Sequence, residues 1–226
     1  MIIKAESIVD QVVGYLEDQI VTGKLGAGTK IKEEEIAALL QVSRPPIREA
    51  IKVLEANGLI VRKPRIGAFV SEINGEDVLE IYTIKASLYK VALGVAMDRM
   101  DNLWLSKLEQ SVQEMERYSK GETPNVHKYQ VAHVKFHSLI VDLAGNQRLK
   151  KILSNLDKQV KRFSYISLGD RDHLRRSCNY HRDIINAIKG GDKELALELT
   201  GEHIMSALKK LIGLFELDEE KQAKVM

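Results

Sequence analysis

Residues 42–70 read VSRPPIREAIKVLEANGLIVRKPRIGAFV, and this stretch decides the fold. Ser43 reads as an N-cap, because its hydroxyl can accept a hydrogen bond from an unpaired amide of the first helical turn. Pro45 and Pro46 follow in that turn, where a missing N–H costs nothing. Ile47, Ile51 and Leu54 repeat at spacings of four and three and form one apolar stripe. Arg44, Arg48 and Lys52 recur every four residues on a different face. Asn57-Gly58 supplies a left-handed stop. Leu59–Val61 and Ala68–Val70 then read as short strands flanking Lys63, Arg65 and Gly67. A short cationic helix followed by a cationic hairpin suits entry into a groove of DNA.

Upstream, Val9, Val12, Val13, Leu16 and Ile20 form a helical stripe from about Ala5 to Val21, ended by Thr22-Gly23. A Gly-rich connection covers Gly23 to Gly28. Lys32 to Leu40 reads as a second short helix, with Ile36, Leu39 and Leu40 apolar, and Gln41-Val42 turns into the helix opened by Ser43. Three helices and a β-hairpin wing are expected over residues 1–75, with the third helix placed to read DNA.

From Glu76 onward the signals change to amphipathic helices, expected over about 77–99, 102–119, 126–144, 147–168, 171–189 and 193–214. Their breaks are Asp101-Asn102, Gly121 to Pro124, Gly145-Asn146, Gly169-Asp170 and Gly190-Gly191-Asp192. Leu149, Leu153, Leu156, Val160 and Phe163 make a near-heptad stripe suited to bundle packing. The polar end from Glu216 to Met226 is expected to fray. The fold class is therefore mainly α: an N-terminal winged helix-turn-helix over 1–75, then an antiparallel bundle of about six helices over 76–226.

A length of 226 residues fits two domains, and 44% apolar residues can fill real cores. One cysteine excludes an internal disulfide framework and fits a reducing cytoplasm. No apolar run reaches the length of a bilayer span, so no membrane role is expected. The net charge of +2 says less than its distribution. Residues 1–40 carry four Lys/Arg against seven Asp/Glu, whereas residues 41–70 carry six Lys/Arg against two Glu. The positive charge thus collects on the segment quoted first, as a phosphate-facing surface requires.

The helical half carries its own chemistry. His133 and His137, in HVKFH, are four apart and share one helix face, a spacing that lets two imidazoles reach one ion. His181 lies nine residues before Gly190, and His203 eleven after Asp192. At a rise of roughly 1.5 Å per residue, the two stand about 14 and 17 Å from the tip of a helical hairpin. Facing imidazoles from two helices and a pair from a third make a nitrogen-rich site for a divalent transition metal. The bland alternative is a set of hydrogen-bonded core histidines. His127 and His173, near helix starts, read as surface residues. Cys178 reads as a small buried hydrophobe. Lys85, Arg162, Arg175 and Arg176 are cations, of which one or two pointing into a cavity would receive a carboxylate.

The two halves together resemble a GntR-superfamily transcription regulator of the FadR-like branch, with a metal-binding FCD-type effector domain. The N-terminal resemblance covers about residues 8–71 and rests on GKLGAGTKI, EEEIAALLQVSRPPIREAIKVLEANGLI and RIGAFV. It implies that Ser43, Arg44, Pro46 and Arg48 contact bases and phosphates and that Gly67 approaches the minor groove; Lys63 and Arg65 join them as wing cations. Some relatives use an arginine in the second helix where Glu34 stands, and a carboxylate cannot bind phosphate. The C-terminal resemblance covers about 78–213 and rests on FHSLIVDLAGNQRL, YHRDIINAIKGGD and His203. It implies a metal held by His133, His137, His181 and His203, with His133 in place of the usual Asp. That exchange removes a negative charge and favours Zn²⁺ or Ni²⁺ over Mn²⁺. In the first effector helix the family often has Arg and Glu where this chain has Lys85 and Tyr89, which together with Arg162 are the candidate effector contacts.

The implied function is a cytoplasmic, homodimeric repressor or activator that binds a palindromic operator and responds to a small organic acid at the metal. Two readings stand beside it: a regulator in which metal occupancy itself is the signal, and a purely structural metal. An enzyme is not expected, because the histidine helices show no adjacent Glu base like that of an HExxH helix.

Overall fold

A computed structural model of the chain describes residues 7–72 and 74–223, apart from the side chains of Arg162 and of residues 216–223. By contact density the chain falls into two compact units, Met1–Ile73 with Asp157–Arg162, and Asn74–Leu156 with Phe163–Met226.

The first unit orders its elements as α1 (Ile8–Val21), β1 (Lys30–Ile31), α2 (Glu33–Leu40), α3 (Arg44–Ala56), β2 (Ile60–Lys63) and β3 (Gly67–Val70). Ser7 and Asp10 close a capping box at the start of α1. The expected start at Ala5 lies outside the described residues. Val12, Leu16 and Ile20 of α1 pack with Ile47, Ile51 and Leu54 of α3 and with Ile60 and Val70 of the sheet. This is the stripe that the 4-and-3 spacing requires.

Ser43 does occupy the N-cap of α3, with extended backbone, but its side chain makes no capping hydrogen bond. The expectation of a cap bond is corrected for a simple reason. An N-cap hydroxyl bonds the amide of the second or third helical residue, and those residues are Pro45 and Pro46, which have no N–H. The other end of α3 closes as expected. Gly58 takes a left-handed φ of +74°, Leu59 N–H reaches Leu54 C=O at 2.9 Å, and Gly58 N–H reaches Glu55 C=O at 3.0 Å.

The sheet has three strands in the order β1-β3-β2, both pairs antiparallel. The β1 strand was not expected from the sequence. It is two residues long, too short for a period-2 signal, and it sits in a stretch dominated by glycine. The register sets Lys30 and Val61 opposite Phe69, and Lys63 opposite Gly67.

The remaining elements are α4 (Gly75–Met97), α5 (Asn102–Ser119), α6 (Val126–Ala144), α7 (Gln147–Gly169), α8 (Arg171–Lys189) and α9 (Lys193–Ala223), all in the second unit except Asp157–Arg162 of α7. Asn74, Asp101, Asn125, Asn146 and Asp170 each cap a helix by accepting a backbone N–H. Helix α4 packs on α6 and α9, α5 on α6 and α8, and α8 on α9. In the α7 stripe Leu149, Leu153, Val160 and Phe163 are buried and Leu156 is half-buried. The fraying expected from Glu216 is corrected as far as Ala223, because α9 continues to that residue. The extension is rich in helix formers and has no Gly or Pro to stop it. The fold is mainly α, a winged helix-turn-helix followed by a helical bundle. Among the described residues no helix is long and apolar enough to cross a membrane.

Candidate functional site

Three helices of the second unit bring four imidazoles together. His133 and His137 come from α6, His181 from α8 and His203 from α9, and one ring nitrogen of each lies within 4.8 Å of every other. The Nε2 atoms of His137 and His181 are 3.2 Å apart, and those of His133 and His203 are 3.3 Å apart. Across the α8–α9 hairpin the His181 and His203 rings are 4.3 Å apart, the equal-height arrangement that the sequence positions require. Nitrogen ligands at about 2.0–2.1 Å from a tetrahedral centre stand roughly 3.3 Å from one another. The two close pairs have that spacing.

The environment fits a ligand set better than an ordinary polar core. His181 Nδ1–H donates to the Ser177 carbonyl at 2.6 Å, which fixes the tautomer and aims Nε2 at the other rings. The Ser177 hydroxyl in turn accepts from Tyr129 at 2.9 Å, and burial pushes that phenol well up, so it stays a donor. The Nδ1 atoms of His133, His137 and His203 are buried without a hydrogen-bond partner among the described residues. Buried core histidines usually spend both nitrogens on hydrogen bonds, whereas here the polar atoms converge on one another. Burial lowers the pKa of His133, His137 and His203 well below the usual imidazole value. The charges of facing imidazoles and of Lys85 act in the same direction. Burial brings His181 down to about 4, opposed by its bond to Ser177. All four are neutral at pH 7, the form that binds metal. The cluster contains no carboxylate, so a divalent ion held there keeps its full charge and favours an anionic ligand.

Lys85 and Tyr89, both on α4, are buried beside this cluster. The Tyr89 ring meets His137 edge-on at 4.9 Å, and Lys85 Nζ lies 5.2 Å from the Tyr82 ring centre. The Arg162 side chain lies outside the described residues. Arg175 and Arg176 are exposed, so among the described side chains of that group Lys85 is the buried one. Cys178 is buried with its Sγ 3.6 Å from the Ser119 hydroxyl, and it is not one of the clustered groups.

His127 is exposed as expected, but His173 is not: it is 1% exposed. The correction was readable in the spacing, since residues 173, 177 and 181 recur every four on the face of α8 that carries His181. Burial, with Arg176 next, holds the His173 pKa at about 4. The unfolded chain therefore takes up a proton near 6.5 that the folded chain refuses until about pH 4. Stability should be unaffected above pH 6.5 and fall as pH drops, by about 3 kcal/mol at pH 4. Denaturant titrations of the metal-free protein and of His173→Gln between pH 7 and 4 check this; equal pH slopes for the two would contradict it.

In the first unit, Ser43, Arg44, Arg48, Lys63 and Arg65 are exposed, while Pro46 and Gly67 are half-buried. Arg65 forms the wing turn with a φ of +62°, and Gly67 has a φ of +130°. A Cβ on Gly67 would also stand 3.1 Å from the Lys30 side chain, so two constraints select glycine. Lys30 was missed at the sequence level along with its strand. It and Lys63 flank the Phe69 ring, 6.0 and 5.0 Å from its centre, which adds a third cation to the wing surface.

On the α2–α3 surface the excess positive charge expected from the sequence is offset by ion pairs in space. Arg44 pairs with Glu34 at 2.7 Å and Arg48 with Glu33 at 2.7 Å, both glutamates coming from the first turn of α2. The hydrogen bond from Arg48 to Glu33 raises the Arg48 pKa further. Lys32 pairs with Glu35 at 2.7 Å and Lys52 with Glu49 at 2.8 Å. Four cations of the α2–α3 surface thus meet four carboxylates.

A winged helix-turn-helix carried in one chain with a helical bundle defines a class, the DNA-binding transcription regulator. Residues 8–70 match the family model for bacterial regulatory proteins of the gntR family, and residues 80–206 match the FCD domain. The chain belongs to the GntR family and is a DNA-binding transcriptional regulator with an FCD domain. It is similar to the HTH-type transcriptional regulator YdhC of Bacillus subtilis, with 30% identity over 211 residues and 93% of each chain covered. It is also similar to the gluconate operon transcriptional repressor of Bacillus licheniformis, with 30% identity, 81% of this chain covered and 76% of the relative. The fold matches that of McbR/YncC from E. coli at a TM-score of 0.77, with 20% identity and 92% and 99% of the two chains covered. A GntR regulator from Rhodococcus sp. RHA1 matches at a TM-score of 0.74, with 22% identity and 91% and 97% covered.

Proposed function

We propose that this chain is a sequence-specific regulator whose operator affinity is set by a small carboxylate bound at a divalent metal in the four-histidine cluster. The observation that carries the reading is the convergence of His133, His137, His181 and His203 with buried Lys85 and Tyr89 at its edge. A bound Zn²⁺ or Ni²⁺ would supply a Lewis-acidic positive charge for a carboxylate to ligate. Lys85, Tyr89 and Arg162 are assigned to the effector; Ser43, Arg44, Pro46, Arg48, Lys63, Arg65 and Gly67 are assigned to DNA. Residues 1–75 act as the reading head and 76–226 as the sensing domain. The reading is of a non-enzymatic cytoplasmic repressor or activator acting as a homodimer on a palindromic operator. The exposed α4 apolar side chains Ile84 (49%) and Val91 (52%) support a self-association face.

One observation favours the second reading, in which the metal itself is the signal. Four imidazole nitrogens, two pairs of them at tetrahedral spacing, are enough to complete a closed zinc site with no position left for a carboxylate. Elemental analysis and native mass spectrometry of the purified protein, followed by operator binding with chelator, with metal and with added carboxylates, test both. Sugar acids come first, because a gluconate operon repressor and a probable D-xylose utilization repressor are among the relatives. A carboxylate that shifts operator affinity only in metal-loaded protein is the expected result. If chelation changes affinity and no carboxylate does, the metal is the signal; if neither acts, the metal is structural.

A further inference from the structure

We infer that Glu33 and Glu34 are affinity-setting residues of the reading head: they neutralise the reading arginines in the unbound head and so lower its affinity for DNA, the operator included. The inference rests on the proposed role of α3 in the groove. Arg48 and Arg44 each end 2.7 Å from a carboxylate of α2. The other two cations of the same surface, Lys32 and Lys52, are also paired. The α2–α3 surface therefore offers little net attraction to a phosphate backbone. On the wing, by contrast, Lys30, Lys63 and Arg65 have no carboxylate partner among the described residues, so the wing supplies the steering field.

The carboxylates are well held. Both lie in the first turn of α2, where the helix dipole favours negative charge. An exposed ion pair is worth a factor of about five at most. A bidentate guanine edge discriminates by about five- to 150-fold, enough to take the guanidinium away from its glutamate. A single phosphate oxygen offers no comparable gain, because it replaces one anion with another. Arg44 and Arg48 thus exchange partners on the operator and keep their glutamates elsewhere. The departure from relatives with an arginine in this helix becomes a functional feature rather than a lost contact.

The test uses the full chain. An operator is selected from random duplexes with the unaltered protein, and its affinity and that of a scrambled duplex are measured across a KCl series. The double variant Glu33→Gln, Glu34→Gln is compared with Glu109→Gln, Glu114→Gln, which makes the same charge change in the helical unit. Freeing two arginines for phosphates should tighten scrambled-duplex binding about tenfold at 0.1 M salt. It should also steepen the log–log salt slope by nearly 2, about 0.9 per arginine. Operator binding should tighten by at least as much, up to about 25-fold, because two ion pairs of about fivefold each no longer have to be broken. The control pair should leave scrambled binding within about twofold. No gain on either duplex, a scrambled-duplex gain larger than the operator gain, or the same gain in the control pair would each overturn the inference. An unaltered protein that enriches no sequence would overturn the proposed reading head as well, so the two failures are told apart.

Discussion

Replacing His203 with alanine should lower zinc affinity by at least about a hundredfold, while the helical content and the DNA head remain intact. Structural zinc binding is worth roughly 10–16 kcal/mol over four ligands, so one ligand carries about 3 kcal/mol, or on the order of a hundredfold. The fold should survive, because His203 is one buried side chain on a helix whose neighbours Ile204, Leu208 and Leu211 are also buried. Alanine also removes one of the buried Nδ1 groups that lack a hydrogen-bond partner, which offsets part of the cavity cost. Competition with a chromophoric chelator reads the affinity, and circular dichroism reads the helices. Undiminished affinity would mean that His203 is packing and not a ligand. His133→Asp gives the complementary readout: an anionic ligand in place of an imidazole should shift the preference from zinc towards manganese without loss of the site.

Alanine at Arg44 and alanine at Lys63 should fail in different ways. Arg44 stands at the start of α3, where a bidentate contact to a guanine edge is worth about 1–3 kcal/mol. Its loss should weaken operator binding by about ten- to a hundredfold and relax the preference at one position of the site. Lys63 lies on β2 at the wing, opposite Gly67, where a phosphate contact carries no sequence information. Its loss should weaken all duplexes by a similar factor and reduce the salt slope by about 1. Selection of binding sites with each variant, together with a salt series, separates the two. An unchanged site preference in the Arg44 variant would remove it from the list of base readers.

The positions of the four histidines were legible because helical geometry is rigid: a count of residues from Gly190 and Asp192 fixes the heights of His181 and His203. The same rule, applied along α8 as well as across it, would have placed His173 in the interior. The two-residue β1 strand was not legible, since it exists only because β3 offers it an edge, and that pairing is non-local. The failed Ser43 cap could have been foreseen by asking which amides the hydroxyl would meet. The pairing of Arg44 and Arg48 with Glu34 and Glu33 could not, because net charge along a chain says nothing about which surfaces folding brings together. Glu34 stood out by resemblance as a missing phosphate contact, whereas its partner in space turned out to be an arginine of the reading helix.

The two prolines at the start of α3 have a consequence beyond the missing cap. Each ring locks one backbone angle at its helical value, so the leading turn of the proposed reading helix is already frozen in the free protein. A segment that orders on contact surrenders conformational entropy at that moment, at about 1–2 kcal/mol per residue for the backbone. This turn has surrendered it at folding. Docking should therefore show little of the heat-capacity change that accompanies coupled folding, and its speed should be governed by diffusion and charge.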